Sequence, residues 1–328
     1  MHNKITRRAF CSMLLAFPIK ARAQQPAKIP RIGYLTNASL SANAARHETF
    51  RQGLRDLGYV EGKNIIIEWR SGEGSRERQR ALAAELVRLK VDVIVGGGTG
   101  DISAAKEATT TIPIVMINGG DAVGNGFVAS LARPGGNITG LSTFRPELSG
   151  KRLELLKETV PKLVRVAVFM SPASQDYTQV SKELDLAAGI LALKLHYLDI
   201  LSSKDFETAF RAAAKGKAGA VLFRVAGPYA ASQRPQIAEF AVKSRLPVMY
   251  ERAADVEAGG LMTYGVNEID LDRRAAVYVD KILKGRTPAD LPVEQPMKFD
   301  FVINLRAANA IGLTVPPNVL VRASRVIR

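Results

Sequence analysis

Short apolar, β-branched runs alternate with longer amphipathic stretches through almost the whole chain, and the two periods predict strands and helices in turn. Residues 31–35 read as a first strand. Residues 44–57 read as a helix with Phe50, Leu54 and Leu57 on one side, closed by Gly58. A strand over 64–69, a helix over 75–89 and a strand over 91–95 follow. The last of these breaks into Gly96-Gly97-Gly98-Thr99-Gly100-Asp101 before a helix-like 102–109. Residues 113–117 predict a fourth strand, 124–131 a short helix, and 137–141 a strand leaving this unit.

A second series then begins. It predicts helices over 147–160, 175–191, 205–214 and 232–244, and strands over 164–169, 194–198, 220–223, 247–250 and 260–264. A long helix over 270–283, closed by Gly285, and a strand-like 298–303 complete the pattern. Alternating strand and helix means parallel sheets covered by helices on both faces. The expected architecture is α/β, with two Rossmann-like lobes that part near residues 141–146. No short-period repeat or low-complexity tract points to a solenoid.

The first 23 residues have a different character. Lys4, Arg7 and Arg8 precede a short apolar core over 9–19, and Ala21-Arg22-Ala23 supplies a small-x-small cleavage pattern. These features predict an export signal cleaved after Ala23. The apolar core is far shorter than the roughly 20 residues that span a bilayer, which argues against a permanent anchor. Thr6-Arg7-Arg8-Ala9-Phe10 also resembles a twin-arginine export motif, and an ordinary secretory leader holding two arginines fits equally. Cys11 is the single cysteine, so disulfides and cysteine-ligated metal are not expected after cleavage. Of the +15 formal charge, five cations fall in residues 1–23 beside no acid, leaving +10 for the rest. The remaining cations mix with acids along helix-like segments such as 75–90, the pattern of solvated helix faces rather than a nucleic-acid surface.

The chemistry of common enzymes is sparse. His47 and His196 are the histidines beyond the leader, each within a predicted element, and no Gly-x-Ser-x-Gly, His-Glu-x-x-His or Gly-Lys-Ser/Thr motif occurs. The glycine run from Gly96 does not complete a dinucleotide fingerprint, because Asp101 occupies the sixth position. No cofactor and no metal are expected. Polar and glycine residues instead recur after strand ends, where open α/β sheets bind ligands. The candidates are Thr36, Asn37, Gly98, Thr99, Gly100, Asp101, Asn118, Asp121 and Thr143 in the first series, and Ser171, Arg224, Gly227, Tyr250 and Tyr264 in the second. Hydroxyls, amides and exposed N–H groups with few strong nucleophiles suit capture better than turnover, although such residues also populate turns for their own conformational reasons.

Several longer phrases carry a specific likeness. They include Phe50-Arg-Gln-Gly-Leu-Arg-Asp-Leu-Gly-Tyr-Val-Glu-Gly-Lys-Asn64, Thr111-Ile-Pro-Ile-Val115, and Val128-Ala-Ser-Leu-Ala-Arg-Pro-Gly-Gly-Asn-Ile-Thr-Gly-Leu-Ser142. Glu147-Leu-Ser-Gly-Lys-Arg-Leu-Glu-Leu-Leu156, Val256-Glu-Ala-Gly-Gly-Leu-Met-Thr-Tyr-Gly265 and Ala289-Asp-Leu-Pro-Val-Glu-Gln-Pro296 join them. Across essentially the whole chain after the leader, the sequence resembles the periplasmic substrate-binding proteins of ABC transporters, in the tryptophan/tyrosine (TrpX-like) subfamily.

That resemblance implies a type I periplasmic binding protein fold whose lobes are joined by three crossings and close over a ligand. The crossings fall near 141–145, 264–267 and 292–296. The N-terminal lobe is then 24–141 plus 267–292, and the C-terminal lobe 142–266 plus 293–328. It further implies a monomer in the periplasm that passes a small polar ligand (an amino acid, aromatic acid or amide) to an inner-membrane ABC permease. Ligand oxygens would meet Thr99 and Gly100, an amine Asp121 or Asp101, and Tyr250 or Tyr264 would pack the ligand. Thr99-Gly100-Asp101 and Arg224 depart from the family's pattern and speak against an aromatic amino acid. A sensory component feeding a membrane receptor, or an exported α/β enzyme, are the alternative expectations.

Overall fold

The computed structural model describes residues 28–41, 43–144, 146–172, 174, 176–225 and 228–328. The export signal and Gly227 lie outside the described residues. The first series comprises β1 (Arg31–Thr36), α1 (Ala44–Asp56), β2 (Ile66–Ser71), α2 (Arg76–Arg88), β3 (Val93–Gly96), α3 (Thr99–Ala108), β4 (Ile114–Met116) and β5 (Ile138–Gly140). Its strands form an all-parallel sheet in the order β2-β1-β3-β4-β5. β3, Val-Ile-Val-Gly, is buried at every position because helices cover both faces of the sheet.

The second series comprises α4 (Glu147–Thr159), β6 (Arg165–Met170), α5 (Tyr177–Ile190), β7 (Lys194–Asp199), α6 (Asp205–Lys215), β8 (Ala220–Arg224) and α7 (Pro228–Ala231). It continues through α8 (Arg234–Lys243), β9 (Val248–Tyr250), α9 (Ala253–Glu257) and β10 (Met262–Val266). α10 (Glu268–Leu283) comes next. The tail forms β11 (Phe299–Asn304), α11 (Leu305–Ala310), α12 (Pro317–Leu320) and β12 (Arg325–Ile327). These strands make a seven-stranded sheet, β12-β11-β10-β9-β8-β6-β7, parallel except where β11 runs against β10. The order β7-β6-β8-β9-β10 repeats that of the first sheet, so both units place a topological switch point beside their first strand.

α10 returns to the first sheet and packs on α1. An added Cβ at Gly53 would lie 2.9 Å from Ala276, so the two helices approach at a glycine. Arg46 of α1 grips Asp272 of α10 through two bonds of 2.8 and 3.0 Å, and Tyr59 donates to Asp280 at 3.0 Å. The interlobe segments run side by side. Leu141 bridges Glu294, Ser142 N–H donates to the Glu294 carbonyl at 3.0 Å, and Asn267 N–H to the Lys298 carbonyl at 3.0 Å.

The helix expected over 124–131 is a run of turns instead. Asp121 Oδ1 accepts the Gly124 N–H at 2.8 Å, and Gly126 adopts φ +64°. A side-chain-closed turn and a left-handed glycine leave no length of backbone for a helix. α9, α11, α12 and β12 are short elements whose patterns are too brief to signal themselves. Among the described residues, no helix is long and apolar enough to cross a membrane.

Candidate functional site

A cleft of about 360 Å³ opens between the two sheets at the C-terminal ends of their strands. One wall carries Thr99 from the start of α3, Asn118, Gly120, Asp121, Gly124 and Asn125 from the loop after β4, and Glu268 and Leu271 from α10. The opposite wall carries Arg152 and Leu148 of α4, Ser174, Asp176 and Val180 around α5, Arg224 at the end of β8, and Glu251 and Arg252 after β9. Thr143, Phe144, Pro146 and Val266 line it along the crossings.

On the first wall a short polar loop is tied into place by its own backbone. Ser142 Oγ donates to the Gly120 carbonyl at 2.7 Å, Phe144 N–H donates to the same oxygen at 3.1 Å, and the Thr143 hydroxyl donates to Asn118 Oδ1. Glu268 enters the cleft because Asn267 caps α10, accepting the Asp270 N–H at 2.7 Å. This cap starts the helix two residues before the expected position.

The second wall is built on neighbouring strand ends. β6, β8 and β9 are adjacent, so Asp176, Arg224 and Glu251 emerge side by side. Arg224 donates to Glu251 Oε1, to Asp176 Oδ2 at 3.1 Å and to Ser149 Oγ at 3.3 Å. Arg152, buried on α4, donates to Glu251 Oε1 at 2.8 Å and to the Tyr264 carbonyl at 2.7 Å. Burial opposes the charge on Glu251, yet Arg224, Arg152 and Arg252 together hold its carboxyl below the usual range. Burial also lowers the Arg152 guanidinium to about 10, with Glu251 supporting its charge. Sequence reasoning missed Arg152, Asp176, Arg252 and Glu268. Arg152 and Arg252 look like ordinary charges on or beside helices, and only adjacency in the sheet brings the group together.

The structure brings Thr99, Asn118, Asp121, Thr143 and Arg224 to one cleft and leaves the other described candidates outside its lining. Thr36 is buried, accepting the Ala38 N–H at 3.3 Å, and Asn37 accepts the Gly74 N–H at 3.1 Å. Gly98 is the cap residue of α3, Gly100 faces the Gln79 amide, and Ser171 lies off the lining. Tyr250 is 2 % exposed and packs against Phe223 at 5.5 Å, because strand alternation sends it into the core and the next residue, Glu251, to the cleft. Tyr264 stacks on Phe299 at 5.9 Å and contributes its carbonyl to Arg152 instead of its ring to the cleft.

Asp101 is 4 % exposed behind the cleft wall. It accepts from the Gln79 amide and from the Gly98 N–H, the reciprocal half of a capping box at the start of α3. Burial raises its carboxyl to about 7 against these two bonds and the field of Arg46. The folded state therefore holds a proton that the unfolded chain releases near 4, so the stability from this group is complete below that pH. It falls by up to about 1.4 kcal/mol per pH unit as pH rises toward 7, then levels off. Burial raises Asp272 to about 6 with the same sign, so the measurable quantity is a difference. The melting-temperature gap between wild type and Asp101→Asn is expected to change steadily between pH 4.5 and 7; a constant gap would place the Asp101 proton elsewhere.

Comparison with known proteins gives a consistent picture. The family model described as ABC transporter substrate binding protein matches residues 36–327. A tyrosine-binding protein of Clostridioides difficile (strain R20291) is 27% identical over 268 residues, 80% of this chain and 75% of that protein. A conserved domain protein from Vibrio cholerae O1 biovar El Tor shares 30% identity over 91% of this chain and 100% of that one, with a TM-score of 0.82. The ABC domain from Streptococcus pneumoniae in complex with L-Trp shares 26% identity, covering 91% and 99% of the two chains, also with a TM-score of 0.82.

Proposed function

The chain belongs to the ABC transporter substrate binding protein family, and from that premise we propose that it captures an amino acid or a close relative in the cleft and presents it to an ABC permease. The observation that carries this reading is a ligand-sized cleft between two sheets, lined by charges of both signs and by apolar side chains, at strand ends where α/β sheets bind ligands. The relatives named as binding tyrosine and tryptophan support the ligand class.

Residues 24–141 with 267–292 would move as one body, and 142–266 with 293–328 as the other, hinging at the three crossings. Closure would bury the ligand and create the surface that the permease reads. Capture and release require no bond to be made or broken. We further propose export by the leader over residues 1–23, cleaved after Ala23, and action as a monomer in the periplasm.

The binding role has a direct test. A thermal-shift screen of the common amino acids should raise the melting temperature for a subset, since a ligand at 100 times its dissociation constant adds about 2.7 kcal/mol. Asp121→Ala should then weaken the best of them at least about tenfold in calorimetry, the order of a lost charge-assisted hydrogen bond. No response to any amino acid would reject the proposed ligand class; an unchanged affinity in the variant would remove Asp121 from the site.

A further inference from the structure

The charged groups on the cleft divide into those already neutralised by protein and those left over. Arg152 and Arg224 are consumed by Glu251, Asp176 and the Tyr264 carbonyl. Arg252 lines the same wall, and its guanidinium has no hydrogen bond or ion pair among the described residues, although it lies in the electrostatic field of Glu251, Glu268 and Asp255. Across from it, Glu268 reaches the edge of ion pairing with Arg46 at 4.0 Å, but that guanidinium is already held by Asp272 through two shorter bonds. Asp121 accepts the Gly124 N–H and pairs with no cation among the described residues. Among the described residues, the cleft groups without a hydrogen-bonded counter-charge are therefore one cation, the Arg252 guanidinium, on the second wall and two anions, Asp121 and Glu268, on the first.

A ligand that closes this account carries one anionic and two cationic groups. We propose that the preferred ligand is a basic amino acid, with its carboxylate on Arg252, its α-ammonium on Asp121 and its side-chain cation on Glu268. This rests on the amino-acid reading above and narrows it. The carboxylate goes to Arg252 instead of the Gly98–Gly100 turn because Gly100 faces Gln79 and not the cleft. A guanidinium and two carboxylates held at a partly desolvated surface discriminate strongly, since binding a ligand that lacks one charge leaves its partner desolvated and unpaired. Apolar Phe144, Leu148 and Leu271 line the same space and would accept an aliphatic stem. The nearest isostere without the side-chain charge, norleucine, would fill that space and leave Glu268 unanswered.

Calorimetry with lysine, norleucine and tyrosine on the wild-type protein and on the Glu268→Gln and Arg252→Gln variants tests the assignment, with unfolding midpoints as the check on folding. Lysine is expected to bind at least about tenfold more tightly than norleucine or tyrosine. Glu268→Gln should erase that preference by weakening lysine while leaving norleucine within about twofold, and Arg252→Gln should weaken both. Norleucine or tyrosine binding as tightly as lysine would overturn the proposal and leave the amino-acid reading standing. Equal weakening of lysine and norleucine by Glu268→Gln would also overturn it, since Glu268 would then serve the protein's own Arg252. Binding of no amino acid at all would overturn both readings.

Discussion

Replacing Arg152 with methionine is expected to remove about 3–5 kcal/mol of stability and to abolish ligand binding together. Arg152 is buried on α4, the first helix after the interlobe segment. Its guanidinium joins Glu251 after β9 to the Tyr264 carbonyl on β10. Methionine fills much of the volume but leaves the Glu251 charge with one fewer cation and the carbonyl without this donor. The lost energy comes from groups stranded in a site already desolvated, more than from the attraction itself. Binding should fail because Glu251 loses the contact that sets its position on the wall, and Arg224 is held by Glu251 in turn. Thermal unfolding and calorimetry read the two effects separately, and a drop of about 6–20 °C in the midpoint corresponds to this range. Arg152→Lys keeps the charge without the planar fork, and should recover part of the stability while leaving binding impaired. A methionine variant as stable as wild type would show that the wall does not depend on this residue.

Gly140→Ala is the second large effect. Gly140 ends β5 with φ +123°, a conformation that L side chains rarely adopt. A Cβ there would lie 2.4 Å from the Met116 carbonyl oxygen and 2.6 Å from the Met116 nitrogen. Both are backbone atoms of β4, so neither can swing away. The same residue's carbonyl accepts the Glu294 N–H at 3.0 Å, tying the first crossing to the third. Strain at the residue and overpacking of the strand pair each cost about 1–3 kcal/mol, and both occur together here. The expected outcome is a melting midpoint lowered by about 5 °C or more, or loss of soluble protein. Gly136→Ala, nearby and with nothing within 4 Å of its would-be Cβ, should be neutral and serves as the control. An unchanged midpoint in Gly140→Ala would mean that the crossing relaxes without cost.

Much of the architecture was legible because buried parallel strands and amphipathic helices write their periods directly into sequence. Runs such as Val93–Gly96 and the stripe of Phe50 and Leu54 need no partner to be recognised. The turn over 124–131 was misread because Gly126 and the Asp121 cap act on backbone conformation, which hydropathy does not encode. The cleft was legible in part. Thr99, Asn118, Asp121, Thr143 and Arg224 follow from the rule that strand ends face ligands. The rule failed at Tyr250, where one residue of strand alternation separates the core from the cleft, and at Asp101, whose partner Gln79 lies on another helix.

The sequence by itself determined the α/β class, the two successive series of strands and helices, and the likeness to binding proteins of ABC transporters, because periodicity and contiguous phrases are properties of neighbouring residues. Only the tertiary structure decided which charges are spent and which are free. Arg152, Arg224 and Arg252 are indistinguishable as letters, yet two are neutralised by Glu251, Asp176 and a carbonyl while the third faces the cleft. Coulomb energy depends on distance in space and on burial, and both are set by sheet order and helix packing between segments far apart in the chain.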